Sequence, residues 1–355
     1  MKLRRLRLVT GLILMAFVTG HMANLMLGMH SLAAMESWRP WLMGPWRSIA
    51  GQGLLVFSAL IHLALGVYAV AARRSLAMSK TDWVQLCLGL ATPPLLLNHA
   101  IVMHMAGEVT PSFDSTFGQM LAVYWSFSPG YAFQQLGVVM AVWIHAAVGL
   151  YSWLVLKPVW KRIGGLVLPL LFAVPILALL GFAEAGREVL EKLATDAPWR
   201  EHITANLRRV VAVTDPLNAL QGKLLLAYGV LVAAAIGVLA TRLLRDRLKR
   251  VSVAYDGGLS AHGRRGLSIL ELSRLNDVPH AHVCSGRGRC GTCRVRIESG
   301  AGQLTPMSEA ERDTLARVGA GAAERLACQA RRDHARAGHA RAAALCRCLG
   351  GAPAA

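Results

Sequence analysis

Four cysteines in the C-terminal part of the chain have the residue type and spacing of ligands to an iron–sulfur cluster. Cys284, Cys290 and Cys293 form a C-x5-C-x2-C motif, and Cys328 follows further along the chain. A [2Fe–2S] cluster needs one loop that wraps it and a distant thiolate that closes the cage. A zinc site is the alternative, but such sites more often have paired C-x2–4-C knuckles of similar spacing. The spacing therefore favours the cluster.

The loop between these cysteines contains three glycines, Gly286, Gly288 and Gly291. Glycine adopts positive φ without strain and lets the backbone pass close to other atoms. We therefore expect backbone N–H groups of this loop to point at the sulfur atoms.

Four histidines within apolar segments form a second candidate site: His21, His62, His99 and His145. Ionisable side chains in such segments are costly and usually face the interior of a helix bundle. Two of them stand in a repeated phrase, His62-Leu-Ala-Leu-Gly-Val-Tyr and His145-Ala-Ala-Val-Gly-Leu-Tyr. Gly66 and Gly149, four residues after each histidine, share its helix face and leave room for a flat macrocycle. The repeat suggests that apolar segments 1–2 and 3–4 are related helix pairs.

The depth of these histidines along their helices predicts how they pair. His21 and His99 lie about 21–24 Å from the cytoplasmic ends of their helices, at about 1.5 Å per residue. His62 and His145 lie about 15–16 Å in by the same rise. Two level pairs could each hold a haem b between imidazoles, so we expect one or two haems. For any single histidine, a helix–helix hydrogen bond is the alternative.

Two further histidines fall at the expected periplasmic interface. His30 and His104 are too shallow for the deeper sites. His104 also lies about 140° around the helix from His99. We expect this pair to contact a haem propionate or a quinone head group.

The composition indicates a membrane protein. Of 355 residues, 54% are apolar and 16% charged, with a mean hydropathy of +0.43 and a pI near 10.4. The net charge of +18 could suggest nucleic-acid binding, but the chain has no recognition motif for it. Seven cysteines, four in the cluster motif, do not form a disulfide framework. Residues 1–28 could form a signal peptide, but the long apolar stretch favours a retained first span.

Six apolar segments are long enough to cross a bilayer. They are 6–28, 47–72, 82–106, 131–157, 164–184 and 219–241. Basic residues cluster at the ends of these segments that would share the cytoplasmic side. The loop 107–130, expected on the periplasmic side, contains no Lys or Arg. This distribution predicts a bacterial inner-membrane protein with both termini in the cytoplasm. The segment 185–218 mixes both charge signs and is predicted to be a surface helix.

Beyond the last span the pattern changes to that of a small α+β domain. Strands are predicted at 251–255, 294–298 and 325–329, and helices at 267–275 and 308–315. The predicted domains are a helical membrane bundle at 1–245, this small domain at 246–330 and a disordered basic tail at 331–355. The tail has the composition of an out-of-frame end. Its Cys346 and Cys348, beside His334 and His339, could alternatively bind a metal.

The small domain resembles an adrenodoxin-type ferredoxin, which has a β-grasp fold. The residues that carry the resemblance are Gly266-Leu-Ser-Ile-Leu-Glu271, Val278-Pro-His-Ala-His-Val-Cys284 and Cys290-Gly-Thr-Cys-Arg-Val-Arg-Ile297. Residues 1 to about 330 resemble the membrane and ferredoxin regions of some bacterial class III adenylate/guanylate cyclases. The membrane region of those proteins is similar to the membrane subunits of succinate dehydrogenase.

This resemblance implies a [2Fe–2S] cluster on the four cysteines, haem b in the membrane and a quinone-linked redox input. It also implies the quinone pool and a second copy of the chain as partners. The apolar spans indicate lipid as a further partner, and the lack of a recognition motif argues against nucleic acid. No cyclase domain is present, so we expect no catalysis by this chain itself. The alternatives are a subunit of a quinone-linked oxidoreductase and a membrane anchor with a vestigial ferredoxin. A β-grasp ferredoxin also needs a last strand in mid-sheet, and the sequence after 331 does not predict one.

Overall fold

The computed structural model describes residues 2–109, 115–211, 214–256, 258–284, 286–332 and 345–348, the last of these as backbone. The chain forms two compact units. One comprises Leu3–Gly66 and Thr81–Val232, and the other Met1–Lys2, Val67–Lys80 and Ala233–Ala355. We call them the helical unit and the C-terminal unit.

The helices occupy most of the first 250 residues. In chain order they are α1 (Lys2–Met26), α2 (Leu32–Leu42), α3 (Gly44–Arg47), α4 (Ile49–Ala71), α5 (Lys80–Val109), α6 (Phe117–Ala122), α7 (Gly130–Leu154), α8 (Trp160–Thr195), α9 (Ala197–Val211) and α10 (Thr214–Arg247). Within the described residues, six of these, α1, α4, α5, α7, α8 and α10, are long and apolar enough to span a membrane. The predicted six-helix class is confirmed.

The fifth and sixth membrane-spanning helices, α8 and α10, are longer than the apolar segments predicted for them. α8 continues past residue 184 to Thr195, and α9 follows almost directly. Arg187 forms ion pairs with Glu184 at 2.7 Å and Glu191 at 3.4 Å, spacings that stabilise a helix in charged sequence. The predicted surface helix at 185–218 is therefore divided between the end of α8 and α9. It is also not wholly at the surface, because Ile203 of α9 is 2% exposed.

The core of the helical unit combines apolar packing with buried side-chain hydrogen bonds. Met35, Ala178, Ala185 and Val189 are completely buried. Asn24 is also buried, and its Nδ2 donates to the Met35 carbonyl at 2.9 Å. This bond offsets part of the cost of burying the amide and links α1 to α2.

The remaining elements lie in the C-terminal unit. They are β1 (Arg250–Tyr255), β2 (Ser260–Arg264), α11 (Ile269–Leu275), β3 (Arg294–Ile297), α12 (Glu309–Arg317), β4 (Glu324–Leu326) and β5 (Leu345–Cys348). The strands form one sheet in the order β2-β1-β5-β3-β4. Both helices begin within two residues of the predicted positions. Ser268 and Ser308 cap them by accepting hydrogen bonds from the backbone N–H groups of Glu271 and Glu311. The predicted α+β class is confirmed.

The strand β5 corrects the expectation for the tail. The sequence predicts no strand after residue 331, yet Leu345–Cys348 occupies the middle of the sheet. It pairs parallel to β1 and antiparallel to β3. The edges of β1 and β3 would otherwise carry unpaired backbone groups, and that need outweighs the weak strand propensity of this Ala- and Arg-rich sequence. His334 and His339 lie outside the described residues.

Candidate functional site

The four cysteines of the motif lie at the ends of strands and in the loop between them. Cys284 begins the loop, Cys290 and Cys293 end it directly before β3, and Cys328 follows β4. Because β3 and β4 pair in antiparallel register, Cys293 and Cys328 lie side by side, and the Ala327 N–H donates to the Cys293 carbonyl at 2.9 Å. Cys284, Cys293 and Cys328 are buried, whereas Cys290 is partly exposed.

The loop adopts the backbone conformation that its glycines predict. Gly286, Gly288 and Gly291 have φ values of 85°, 65° and 80°. At Gly291 a Cβ atom would lie 2.9 Å from Val318 Cγ1, so packing as well as conformation excludes a larger residue.

Hydrogen bonds around the cysteines stabilise the thiolate at two of the four, and the same bonds raise the pKa of the thiols that donate them, Cys290 and Cys328. The Cys290 thiol and the backbone N–H groups of Arg289, Cys290 and Arg287 donate to Cys284 and lower the pKa of its thiol to about 4. A hydrogen bond from the Cys328 thiol likewise lowers the pKa of Cys293. Thiolates are the form that binds iron. The expectation that loop amides point at sulfur is met at Cys284.

These contacts divide the sulfur atoms into two pairs, Cys284 with Cys290 and Cys293 with Cys328. In a [2Fe–2S] cluster with four cysteine ligands, each iron binds two cysteines, so the ligands form two pairs. A zinc ion needs all its ligands around one centre. In the part of the chain that the structure describes, no three metal-binding side chains converge in that way. The donor set therefore fits the two-iron cluster better than zinc.

Several supporting contacts were not predicted from the sequence. Thr314 of α12 donates to the Gly288 carbonyl at 2.8 Å, and Gln329 donates to the Gly286 carbonyl at 3.3 Å. Thr292 Oγ1 lies 3.0 Å from Cys290 Sγ and accepts from the Val283 N–H at 3.1 Å. These residues hold the loop from both sides. Of these residues, only Thr292 lies inside the cysteine motif, where its position could have indicated a contact with a cysteine.

A buried ion pair fixes the strand that leads to Cys328. Glu311 is 1% exposed, and it accepts from Arg325 Nε at 2.8 Å and Nη2 at 3.1 Å. It also accepts from the Leu326 N–H at 2.9 Å. Glu311 thereby ties α12 to β4, directly before the fourth cysteine.

Comparison with known proteins agrees with this geometry. The family model described as "2Fe-2S iron-sulfur cluster binding domain" matches residues 256–332. The chain is 37% identical over 65 residues to "2Fe-2S ferredoxin-5" of Aquifex aeolicus, covering 68% of that protein and 18% of this chain. The chain belongs to the 2Fe-2S ferredoxin family. The ferredoxin domain is an electron-transfer domain with a [2Fe–2S] cluster, which the four cysteines are suited to hold.

A second relative matches a segment of equal length. "Chlorosome protein I" of Chlorobaculum tepidum is 35% identical over 65 residues, which are 18% of this chain. The chain spans 27% of the length of that relative. No solved structure matches the chain.

Outside the ferredoxin domain, the helical unit brings the four predicted histidines together in two pairs. The ring centroids of His21 and His99 are 6.2 Å apart, and those of His62 and His145 are also 6.2 Å apart. These are the pairs expected from helix depth. Two metal–nitrogen bonds of about 2 Å, plus roughly 1 Å from each nitrogen to its ring centre, give about 6 Å for imidazoles on opposite sides of one metal. Both pairs therefore have the spacing that a haem iron requires.

In the His62–His145 pair, one nitrogen of each ring lies next to a backbone carbonyl. His62 Nδ1 lies 3.2 Å from the Arg7 carbonyl, and His145 Nδ1 lies 2.9 Å from the Gln85 carbonyl. Among the described residues, Nε2 of neither ring has a hydrogen-bond partner. A backbone acceptor on Nδ1 fixes the tautomer that leaves Nε2 able to bind a metal.

The His21–His99 pair is held differently. His99 Nδ1 lies 3.1 Å from the Tyr124 hydroxyl. The His21 ring is stacked between Phe17 and Phe117, at 6.0 and 6.1 Å between ring centroids. Its Nδ1 is buried without a hydrogen-bond partner in the described part of the chain. A buried nitrogen of this kind needs an explanation, and a bound metal would supply one.

Glycines make room around the second pair. A Cβ built at Gly66 would meet no neighbouring side chain within 4 Å, so the space that the repeat predicts is open there. At Gly149 the space is partly filled, because a Cβ would lie 3.1 Å from Gln85 Nε2. Two further glycines were not predicted. A Cβ at Gly11 would lie 3.0 Å from His62 Cε1, and one at Gly89 would lie 2.7 Å from His145 Cε1.

The missed glycines had a signal in the sequence. Gly11 precedes His21, and Gly89 precedes His99, by the same interval. This agrees with the predicted relation between helix pairs 1–2 and 3–4. Of the interfacial histidines, His30 is exposed, and the His104 side chain lies outside the described residues.

Proposed function

We propose that this chain is a membrane-bound electron-transfer module that combines the ferredoxin cluster with haem b between paired histidines. The observation that carries the proposal is the equal 6.2 Å separation of the two histidine pairs in spanning helices. A single structural histidine needs only a hydrogen bond, whereas two imidazoles at this separation suit a metal between them.

The ferredoxin domain offers a route for electrons at one edge of its cluster site. Cys290 is partly exposed, and Val283 beside Cys284 is 69% exposed. The other three cysteines are buried, and Cys293 and Cys328 belong to the apolar core of the domain. A donor or acceptor would therefore approach over Val283 and Cys290, where the least protein lies between it and the sulfur atoms.

In the helical unit, His62 and His145 would hold one haem b and His21 and His99 a second. Haem b supplies one-electron chemistry when bound. Arg7 and Gln85 orient the imidazoles through their carbonyl oxygens, and Gly11 and Gly89 leave the rings room to lie there. The quinone pool is the proposed partner in the bilayer, with both termini in the cytoplasm and the chain in a bacterial inner membrane.

A role in redox sensing rests on the resemblance to the regulatory region of bacterial adenylate cyclases. In that case the oxidation state would be passed along α10 to an output domain, and a homodimer is expected. A subunit of a quinone-linked oxidoreductase is the alternative. The neighbouring coding sequence distinguishes the two, because a cyclase domain supports the sensor and dehydrogenase subunits support the enzyme.

The test of haem binding is a set of histidine variants of the full chain, purified from membranes. We expect the reduced wild-type protein to have the α-band of haem b. His62→Ala should remove the part of this α-band that comes from the His62–His145 pair, and His99→Ala the part that comes from the His21–His99 pair. His202→Ala changes an exposed histidine of α9 and is the matched control. Absence of the band from wild-type protein, or its full retention in both pair variants, would refute the proposal.

A further inference from the structure

The C-terminal unit contains a cavity lined mainly by arginine. Its volume is about 170 Å³, and its lining residues are Arg74, Arg242, Arg245, Asp246 and Arg265. Residues 67–80 and 233–355 form this unit together, so the whole lining lies within one compact body. The cavity is separate from the cysteine and histidine sites.

The walls of this cavity are fixed by contacts of its own lining. Arg242 Nη1 donates to the Ala71 carbonyl at 2.6 Å, and Arg265 Nε lies 3.5 Å from Asp246 Oδ1. Gly266 packs so closely that a Cβ there would lie 3.0 Å from Asp246 Oδ2 and 3.1 Å from the Arg74 carbonyl. The arginines therefore meet at a built junction between the segment after α4, the end of α10 and the strand β2.

The charges of the lining favour an anion. The lining comprises four arginines and one aspartate, so its residues carry an excess of three positive charges. Guanidinium groups repel each other at short range unless an anion lies between them. Their planar forks match the oxygens of a phosphate. A water molecule takes about 30 Å³, so the cavity has room for an anion several times larger.

The position of the cavity along the helices favours a lipid phosphate over a soluble one. Arg74 follows the end of α4 at Ala71, and Arg242 and Arg245 lie in the last turns of α10. Both helices are membrane spans, so these residues lie where apolar sequence ends and lipid headgroups begin. Basic pockets at this level bind anionic headgroups. We propose that the cavity binds the phosphodiester headgroup of an anionic lipid.

The test uses the full-length protein in a neutral detergent, titrated with short-chain phosphatidylglycerol, phosphatidylcholine or inorganic phosphate. The pocket variant is Arg74→Gln with Arg245→Gln. The matched control, Arg247→Gln with Arg250→Gln, removes the same charge from exposed neighbours that do not line the cavity. Unchanged visible absorbance of the [2Fe–2S] cluster shows that each variant is folded.

We expect wild-type protein to bind phosphatidylglycerol in preference to phosphatidylcholine. The pocket variant should bind it about tenfold more weakly, because charge-assisted hydrogen bonds are lost, and the control should change less than about threefold. Equal weakening in both variants would mean binding to general surface charge and would overturn the site. Full competition by inorganic phosphate at equal concentration would make the ligand a soluble phosphate and overturn the lipid assignment.

Discussion

The buried Glu311–Arg325 pair provides a quantitative test of how the ferredoxin domain holds its fourth cysteine. Glu311→Gln keeps the shape of the side chain but removes the charge that Arg325, 11% exposed, faces at 2.8 Å. Breaking a buried ion pair from one side costs about 3 kcal/mol or more, because the remaining charge stays buried and unpaired. A small domain has a free energy of unfolding of about 5–15 kcal/mol, so this loss would be a large part of it.

The assay is cluster absorbance of the full chain in increasing urea, under anaerobic conditions. With a urea dependence of about 1.5 kcal/mol per molar, the midpoint for Glu311→Gln should fall by about 2 M. Asp313→Asn is the matched control, because Asp313 is an exposed acid on the same helix. Glu311→Leu combined with Arg325→Met leaves no buried charge and should recover about half of the loss. Equal midpoints for Glu311→Gln and Asp313→Asn would refute the reasoning.

Three further predictions concern the two sites and the sheet. Gly89→Ala places a methyl group against the His145 ring and should reduce haem b content at least about tenfold. Gly137→Ala is the control and should leave the haem content unchanged, because a Cβ there meets no neighbouring atom within 4 Å. Equal haem contents in the two variants would contradict the proposed packing. Cys328→Ser should abolish the electron paramagnetic resonance signal of the reduced cluster, and Cys87→Ser should leave it unchanged; a normal signal in Cys328→Ser would exclude this ligand. Ending the chain before 345–348 removes the central strand and should cause rapid loss of cluster absorbance, whereas a stable cluster would mean that β5 is dispensable.

The local sequence was sufficient to predict the elements that depend on local patterns. Six spans follow from hydropathy, and α12 follows from the helical spacing of residues 308–315. The loop glycines have the predicted positive φ because no other residue adopts that conformation at so low a cost. The histidine pairs follow from helix rise together with the predicted orientation of each span, because spans 1 and 3, and likewise spans 2 and 4, run in the same direction and place residues of equal depth at one level.

What could not be predicted depends on contacts between distant segments. β5 has little strand propensity of its own, and its place is determined by the open edges of β1 and β3. β2 was missed because its sequence, Ser-Ala-His-Gly-Arg, does not alternate clearly and is positioned by pairing with β1. Glu311 was read only as part of a helix, since nothing in the sequence indicates that Arg325 faces it.

The most direct test of the central claim is a count of iron in the full-length protein, purified anaerobically from membranes and reduced. We expect two non-haem irons with the paramagnetic signal of a reduced [2Fe–2S] cluster, together with haem b bound by histidine on both sides. Protein that contains the cluster but no haem would contradict the proposed role of the paired imidazoles. Colourless, iron-free protein would contradict the account as a whole.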